Sequence, residues 1–235
     1  MSDMGGGATA TRPVSEAAPG VRTGFMSRDP AHLVGGIAAF IVLQWWMFDT
    51  GVAQALFEFV AGTSWLIILG GFMIVSWLAT RLSYSARSTG AAYGAYALLI
   101  AANATIFAPL LFLVTTIEQA AGAVTTAAQL SAIAFVVLSA IAIKTSKDFS
   151  FLRGILMWGF FIAIALIVGS VFLGAALGTW FAVAMVGLAG AAILYDTQRI
   201  YHQFPPELVV PAAMHLFSSV ALLFWYVLLL VMGRD

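Results

Sequence analysis

Asp196 ends a long apolar run, Leu177–Tyr195, in the string Ile193-Leu194-Tyr195-Asp196-Thr197-Gln198-Arg199. A carboxylate at the centre of a membrane helix costs roughly 2.5–3.5 kcal/mol on insertion scales. An acid kept in such a place is therefore the first candidate for chemistry, namely holding or passing a proton or a cation. The helix carrying it should reach about His202, because Pro205 and Pro206 stop it. Asp196 would then lie nearly two turns from the helix end, roughly 10 Å deep at about 1.5 Å per residue. The chain next turns back through another apolar segment. His215 and Asp196 are almost equidistant from the proline turn, which predicts similar depth. An Asp–His pair that met there would titrate near neutral pH. Ser219 lies one turn beyond His215 on the same face. Arg81, at the end of an earlier apolar segment, is a candidate counter-ion for Asp196.

Each of these residues also has a plainer reading. Asp196 could sit at headgroup level and pair with Arg199 or Arg81. His215 and Ser219, the latter beside Ser218, could serve only interhelical hydrogen bonding and packing. Arg81 could be an interfacial anchor. Asn103 and Pro109 could mark a kink in their segment. Glu58 and Glu118 fall between apolar segments and read as solvated. Gly187 and Gly190 read as surfaces for close helix packing.

The elements that would position these residues follow from composition. Hydrophobic residues make up 62% of the 235 and charged residues 9%, with a mean hydropathy of +1.02. Soluble domains carry roughly 25% charged residues, and a chain of this size could not hide so much apolar surface from water. The implied solvent is the bilayer. The apolar runs are about 33–48, 64–80, 90–114, 124–143, 151–173, 177–195 and 208–232. These predict an all-α, polytopic integral membrane protein with seven transmembrane helices. Val52–Ala61 is apolar but holds Gln54 and Glu58, so it either extends the first span or lies in the interface. Residues 32–235 form one membrane domain, and residues 1–31 read as a disordered tail without a secretory signal.

Charge placement sets orientation. Of the ten basic residues, Arg12, Arg22, Arg28, Arg81, Arg87, Lys144, Lys147, Arg153 and Arg199 fall on the side of the amino terminus. Only Arg234 falls on the other. The positive-inside rule then puts the amino terminus in the cytoplasm and the carboxyl terminus outside. Trp45, Trp46 and Trp65 lie near the opposite ends of the first two spans, as interfacial aromatics do.

Several functions are disfavoured. Zero net charge argues against nucleic-acid binding. The absence of cysteine removes disulfides and thiolate chemistry. There is no His-Glu-x-x-His pair and no Gly-x-Ser-x-Gly elbow. His32, His202 and His215 are scattered, so no resident metal or cofactor is expected. A retinal lysine is ruled out because Lys144 and Lys147 lie in a loop. No enzyme activity is expected.

Two strings resemble a known family. Lys147-Asp148-Phe149-Ser150-Phe151-Leu152 opens the fifth span, and Ala192-Ile193-Leu194-Tyr195-Asp196-Thr197-Gln198 closes the sixth. Together they are similar to the Bax inhibitor-1, or transmembrane Bax inhibitor motif, family. The likeness covers about Ser64 to the carboxyl terminus. The closing Gly233-Arg234-Asp235 resembles bacterial members, a branch that includes FtsH-modulator proteins and would place the chain in an inner membrane. The resemblance implies a seven-helix bundle around a central helix and, in some members, a pH-sensitive calcium leak. There, an aspartate of span six pairs with one of span seven, and an arginine of span two can latch onto the first. Asp196 matches the first aspartate, Ser219 falls at the second, and Arg81 lies near the latch position. The second carboxylate is thus missing.

Two carboxylates can share one proton, whereas an aspartate and a serine cannot. They also offer few of the roughly six to eight oxygens that calcium takes. The expectation is a cation (calcium or proton) leak gated through Asp196, with His215 as its titrating partner. The alternative is a non-conducting regulator that binds a membrane protease complex.

Overall fold

A computed structural model describes residues 19–86, 88–145, 147–205 and 208–233, with side chains from residue 31 onward except Gln119. Among the described residues there is no strand. The helices are α1 (Pro19–Asp49), α2 (Val52–Ala61), α3 (Trp65–Ser85), α4 (Thr89–Thr116), α5 (Ala123–Lys144), α6 (Leu152–Leu173), α7 (Gly178–Gln203) and α8 (Val209–Met232). Seven are long and apolar enough to cross a membrane, α2 being the exception. Helix is the form in which a chain in hydrocarbon can satisfy its own backbone polar groups. The expected all-α, seven-span architecture is thus present.

The crossing helices alternate in direction. Arg81 ends α3, Lys144 ends α5, Arg153 starts α6 and Arg199 lies near the end of α7, so these bases share one end of the bundle. We call it the basic end, and its opposite the far end.

One open alternative is decided and one expectation is amended. The segment Val52–Ala61 does not extend the first span. Gly51 sits at φ 77°, a conformation that penalises any β-carbon, and turns the chain into a separate helix. At ten residues α2 is about 15 Å long, too short to cross a core of about 30 Å. It folds back against α4, with Ala53 buried and Phe57 beside Phe112 at a centroid distance of 5.4 Å. The helix of the first span also begins earlier than expected. Residues 19–31, read from sequence as part of an irregular tail, are helical. Once a span forms helix, each further residue adds a bond without a new nucleation cost. Residues 1–18 lie outside those described.

The core gathers on α8, which packs against α1, α3, α4, α5 and α7. Its companion is α4, more than half of whose span is buried, and α4 runs through Pro109 without interruption. Small side chains allow the approach: Ala79, Ala104, Ala108, Ala127, Ala189, Ala212 and Ala213 are essentially inaccessible. Gly190 of α7 faces Leu138 of α5 closely, whereas Gly187 faces open space and is not a packing surface. α6 is peripheral. Its main neighbour is α7, where a β-carbon on Gly159 would meet Leu188. Trp158, Phe161 and Phe172 on α6 are exposed, as lipid-facing side chains are.

Candidate functional site

Asp196 lies on α7 seven residues before the helix ends at Gln203. It is half-buried. Ser219, on α8 and 7% exposed, donates its hydroxyl to Oδ2 of Asp196 at 2.6 Å. The α7–α8 hairpin therefore levels Asp196 with Ser219, and His215 sits one turn nearer the basic end. The Leu208 amide bonds back to the Pro205 carbonyl before α8 begins at Val209. This shifts α8 by about a turn from the simple reckoning.

His215 is engaged elsewhere. Its Nε2 lies 2.8 Å from the hydroxyl of Tyr84, in the last turn of α3. Buried Phe204 sets its ring edge against both, with centroids 6.4 Å from Tyr84 and 6.2 Å from His215. Arg199, three residues past Asp196, lies over the Phe204 ring at 5.5 Å. The charges acting on Asp196 are those of His215 and Arg199, and Arg199 also acts on His215 and Tyr84.

Arg81 is not brought to Asp196. Its guanidinium lies over Trp77 at 5.2 Å, and the side chain is exposed. Trp77 and Arg81 are four residues apart on one outward face, where cation–π attraction and lipid-level anchoring both favour that pose. Arg199 occupies the neighbourhood expected of Arg81.

Sequence reasoning missed Tyr84 and Gln198. Tyr84 falls just past the apolar run 64–80 and carries no local sign of its partner. Gln198 reaches across to the loop before α6. Its amide nitrogen donates to the Lys147 carbonyl at 2.6 Å, and its oxygen accepts from the Phe149 amide at 2.7 Å. Next to it, Thr197 and Ser139 of α5 share a hydroxyl contact at 3.3 Å. Within the loop, Asp148 Oδ1 accepts from the Ser150 amide at 2.8 Å and from the Ser150 hydroxyl. The Ser150 side chain and amide hold the exposed Asp148 carboxyl below the usual carboxylate range.

A cavity of about 740 Å³ opens between α3 and α6. Its walls are mostly apolar, from α3, α4, α6, α7 and α8. Its inner end carries Ser76, Asn103 and Ser218, and its far end Ser170 and Thr179. Ser218 bonds its own helix at Met214, Asn103 bonds Leu99, and the Ser76 hydroxyl has no protein partner among the described residues. Ser218 and Ser219 are successive on α8 and point about 100° apart, so the Asp196 contact lies at the depth of the cavity's inner end but outside its lining.

The sequence model of a family described as inhibitor of apoptosis-promoting Bax1 matches residues 23–235. The chain belongs to the Bax inhibitor-1 family. A search of the curated proteins found no match. The strings that suggested the family, 147–152 and 192–198, are one structural unit here, joined by the Gln198 amide. Among the described residues no three His, Asp or Glu side chains cluster in a way that could hold a metal. What the arrangement offers is one carboxylate, one hydroxyl on it, and a Tyr–His pair a turn away.

Proposed function

We propose that this Bax inhibitor-1 family member is a proton-responsive cation leak, with the Ser219–Asp196 contact as its closed latch. The observation that carries the reading is the 2.6 Å hydrogen bond from Ser219 to Asp196 across α7 and α8. A hydrogen bond to an ionised carboxylate is roughly twice as strong as one between neutral groups. Protonation of Asp196 weakens the latch between α7 and α8. Protonation of His215, within the range of about pH 5–8 where histidines titrate, favours its movement from Tyr84 toward Asp196. Protons or small monovalent cations suit this site better than calcium, because one carboxylate and one hydroxyl fall well short of the roughly six to eight oxygens calcium takes. By the positive-inside rule, the basic end faces the cytoplasm, in a bacterial inner membrane on the sequence resemblance.

Purified protein in liposomes tests this, with proton and calcium dyes inside and external pH stepped from about 5 to 8. The expected result is flux that rises as pH falls and is altered in Asp196→Asn. Absence of flux across that range, or flux unchanged in Asp196→Asn, overturns the leak.

The second reading, a regulator of a membrane protease complex, draws on α1. The described part of this helix begins at Pro19, twelve residues before the membrane-compatible stretch that begins at Ala31. That leaves about 18 Å of helix available to a partner at the basic end. Pull-down with and without residues 1–31 separates the readings: a partner lost on truncation, with no flux, favours the regulator.

A further inference from the structure

We propose that the α3–α6 cavity is a binding site for one acyl chain of a membrane phospholipid from the far-end leaflet. The inference is independent of the leak and rests on the shape and chemistry of the cavity. At about 740 Å³ it falls in the range of small-molecule sites, roughly 300–1,000 Å³. Its lining on α8 runs from Ser218 to Leu230. The twelve steps between them span about 18 Å, close to one leaflet of a hydrocarbon core of about 30 Å.

The walls select the occupant. Trp65 and Phe72 of α3, Ile167 of α6, Phe181 of α7, and Leu222 and Trp225 of α8 face the space. Buried water needs roughly two to four polar partners; Ser76, Asn103 and Ser218 lie at the inner end and Ser170 and Thr179 at the far end, and the stretch between them is walled by Leu69, Phe72, Phe107 and Leu222. An empty apolar space would forfeit dispersion contacts along its whole lining. The mouth lies between two spans, and the surface on either side of it is already lipid-facing: Ile67 and Ile74 on α3 are 69% and 66% exposed, and Phe172 and Leu173 on α6 are 79% and 82% exposed. The cavity is thus continuous with the lipid-covered face. Toward the far end Trp65, the first residue of α3, stacks on Trp225 with centroids 6.1 Å apart, and a tryptophan at a span end is typical of headgroup level.

The test uses full-length protein in phosphatidylglycerol–phosphatidylethanolamine vesicles, with and without mid-chain bromine on the acyl chains. Two single-tryptophan proteins are compared, one keeping Trp225 and one keeping Trp158, which is 66% exposed on α6. The expected result is that brominated lipid quenches Trp225 as strongly as Trp158, while aqueous acrylamide reaches Trp225 poorly. Ala221→Phe, which fills the cavity, then lowers bromine quenching of Trp225 severalfold and leaves Trp158 unchanged. Strong acrylamide quenching of Trp225 means a water-filled cavity, and quenching by neither agent means one filled by protein. Either overturns the site. Native mass spectrometry of the unsubstituted protein gives a second readout that needs no variant: one phospholipid retained per chain is expected, and no retained lipid overturns the proposal.

Discussion

Ser219 and Asp196, 23 residues apart, meet across the α7–α8 hairpin with 2.6 Å between the serine oxygen and Oδ2. Ser219→Ala should cost about 1–3 kcal/mol, because the half-buried carboxylate loses its donor. Ser219→Thr keeps the hydroxyl and should cost less. Thermal unfolding in detergent measures both. In the Asp196→Asn background the alanine penalty should shrink, and the double-mutant cycle isolates the pair. Equal penalties in both backgrounds would show that the contact carries no energy of its own.

Tyr84→Phe keeps the ring beside Phe204 and removes only the hydroxyl that faces His215. The expected loss is about 0.5–1.5 kcal/mol. The His215 ring resonances should also shift in nitrogen-edited spectra. Unmoved resonances would mean that Tyr84 does not set the state of the ring.

The Gln198 amide can be taken apart one bond at a time. Gln198→Ala should weaken the loop by about 1 kcal/mol and speed hydrogen exchange at the Phe149 amide roughly fivefold. Gln198→Glu keeps an acceptor for Phe149 but loses the donor to Lys147. It should leave Phe149 protected. If both variants expose Phe149 equally, the clamp acts through Lys147 alone.

Asp148 gives the loop a pH dependence whose sign is determined. Its carboxyl is held below the usual carboxylate range, chiefly by the Ser150 hydroxyl and then by the Ser150 amide. A depressed acid contributes order that is fully present above the unfolded value, roughly 3.9. That contribution is lost as pH falls through the folded value. Protection of the Ser150 amide should therefore hold from neutral pH down past about 4 and fall only in stronger acid. Asp148→Asn should remove the transition.

Gly36 on α1 packs against Tyr96 of α4, whose hydroxyl would clash with a β-carbon there. That hydroxyl also donates to the His32 carbonyl at 3.2 Å. Gly36→Ala should cost about 1–3 kcal/mol through overpacking, and Tyr96→Phe should recover part of it. No recovery would place the strain elsewhere in the α1–α4 contact.

The seven spans were legible because apolar runs in a bilayer have one outcome, a helix, whatever their neighbours. Asp196 was legible for the same reason, since a charge inside such a run is conspicuous. Ser219 entered through its i+4 spacing from His215 and the family resemblance set it opposite Asp196, but equal distance from the prolines favoured His215 as the residue at Asp196's depth. The difference is the Leu208–Pro205 bond, a feature of turn geometry that spacing does not encode. Tyr84 and Gln198 stayed hidden because their partners are 131 residues away and about 50 residues away. Arg81 was assigned by its place at a span end, but which way a terminal side chain leans depends on the neighbouring Trp77 and on the face turned outward.

α6 is the most apolar of the seven spans, yet only 6% of it is buried in protein, and its main neighbour, α7, follows it in the chain. During synthesis it therefore emerges before the surface it will rest on exists. It must partition into lipid on its own merit and wait there, which its composition allows. The bundle is then completed when α7 arrives, with Leu188 brought up to Gly159. The order of insertion is thus built into the distribution of apolar residues: the span with the least support from the rest of the protein is the one that needs it least.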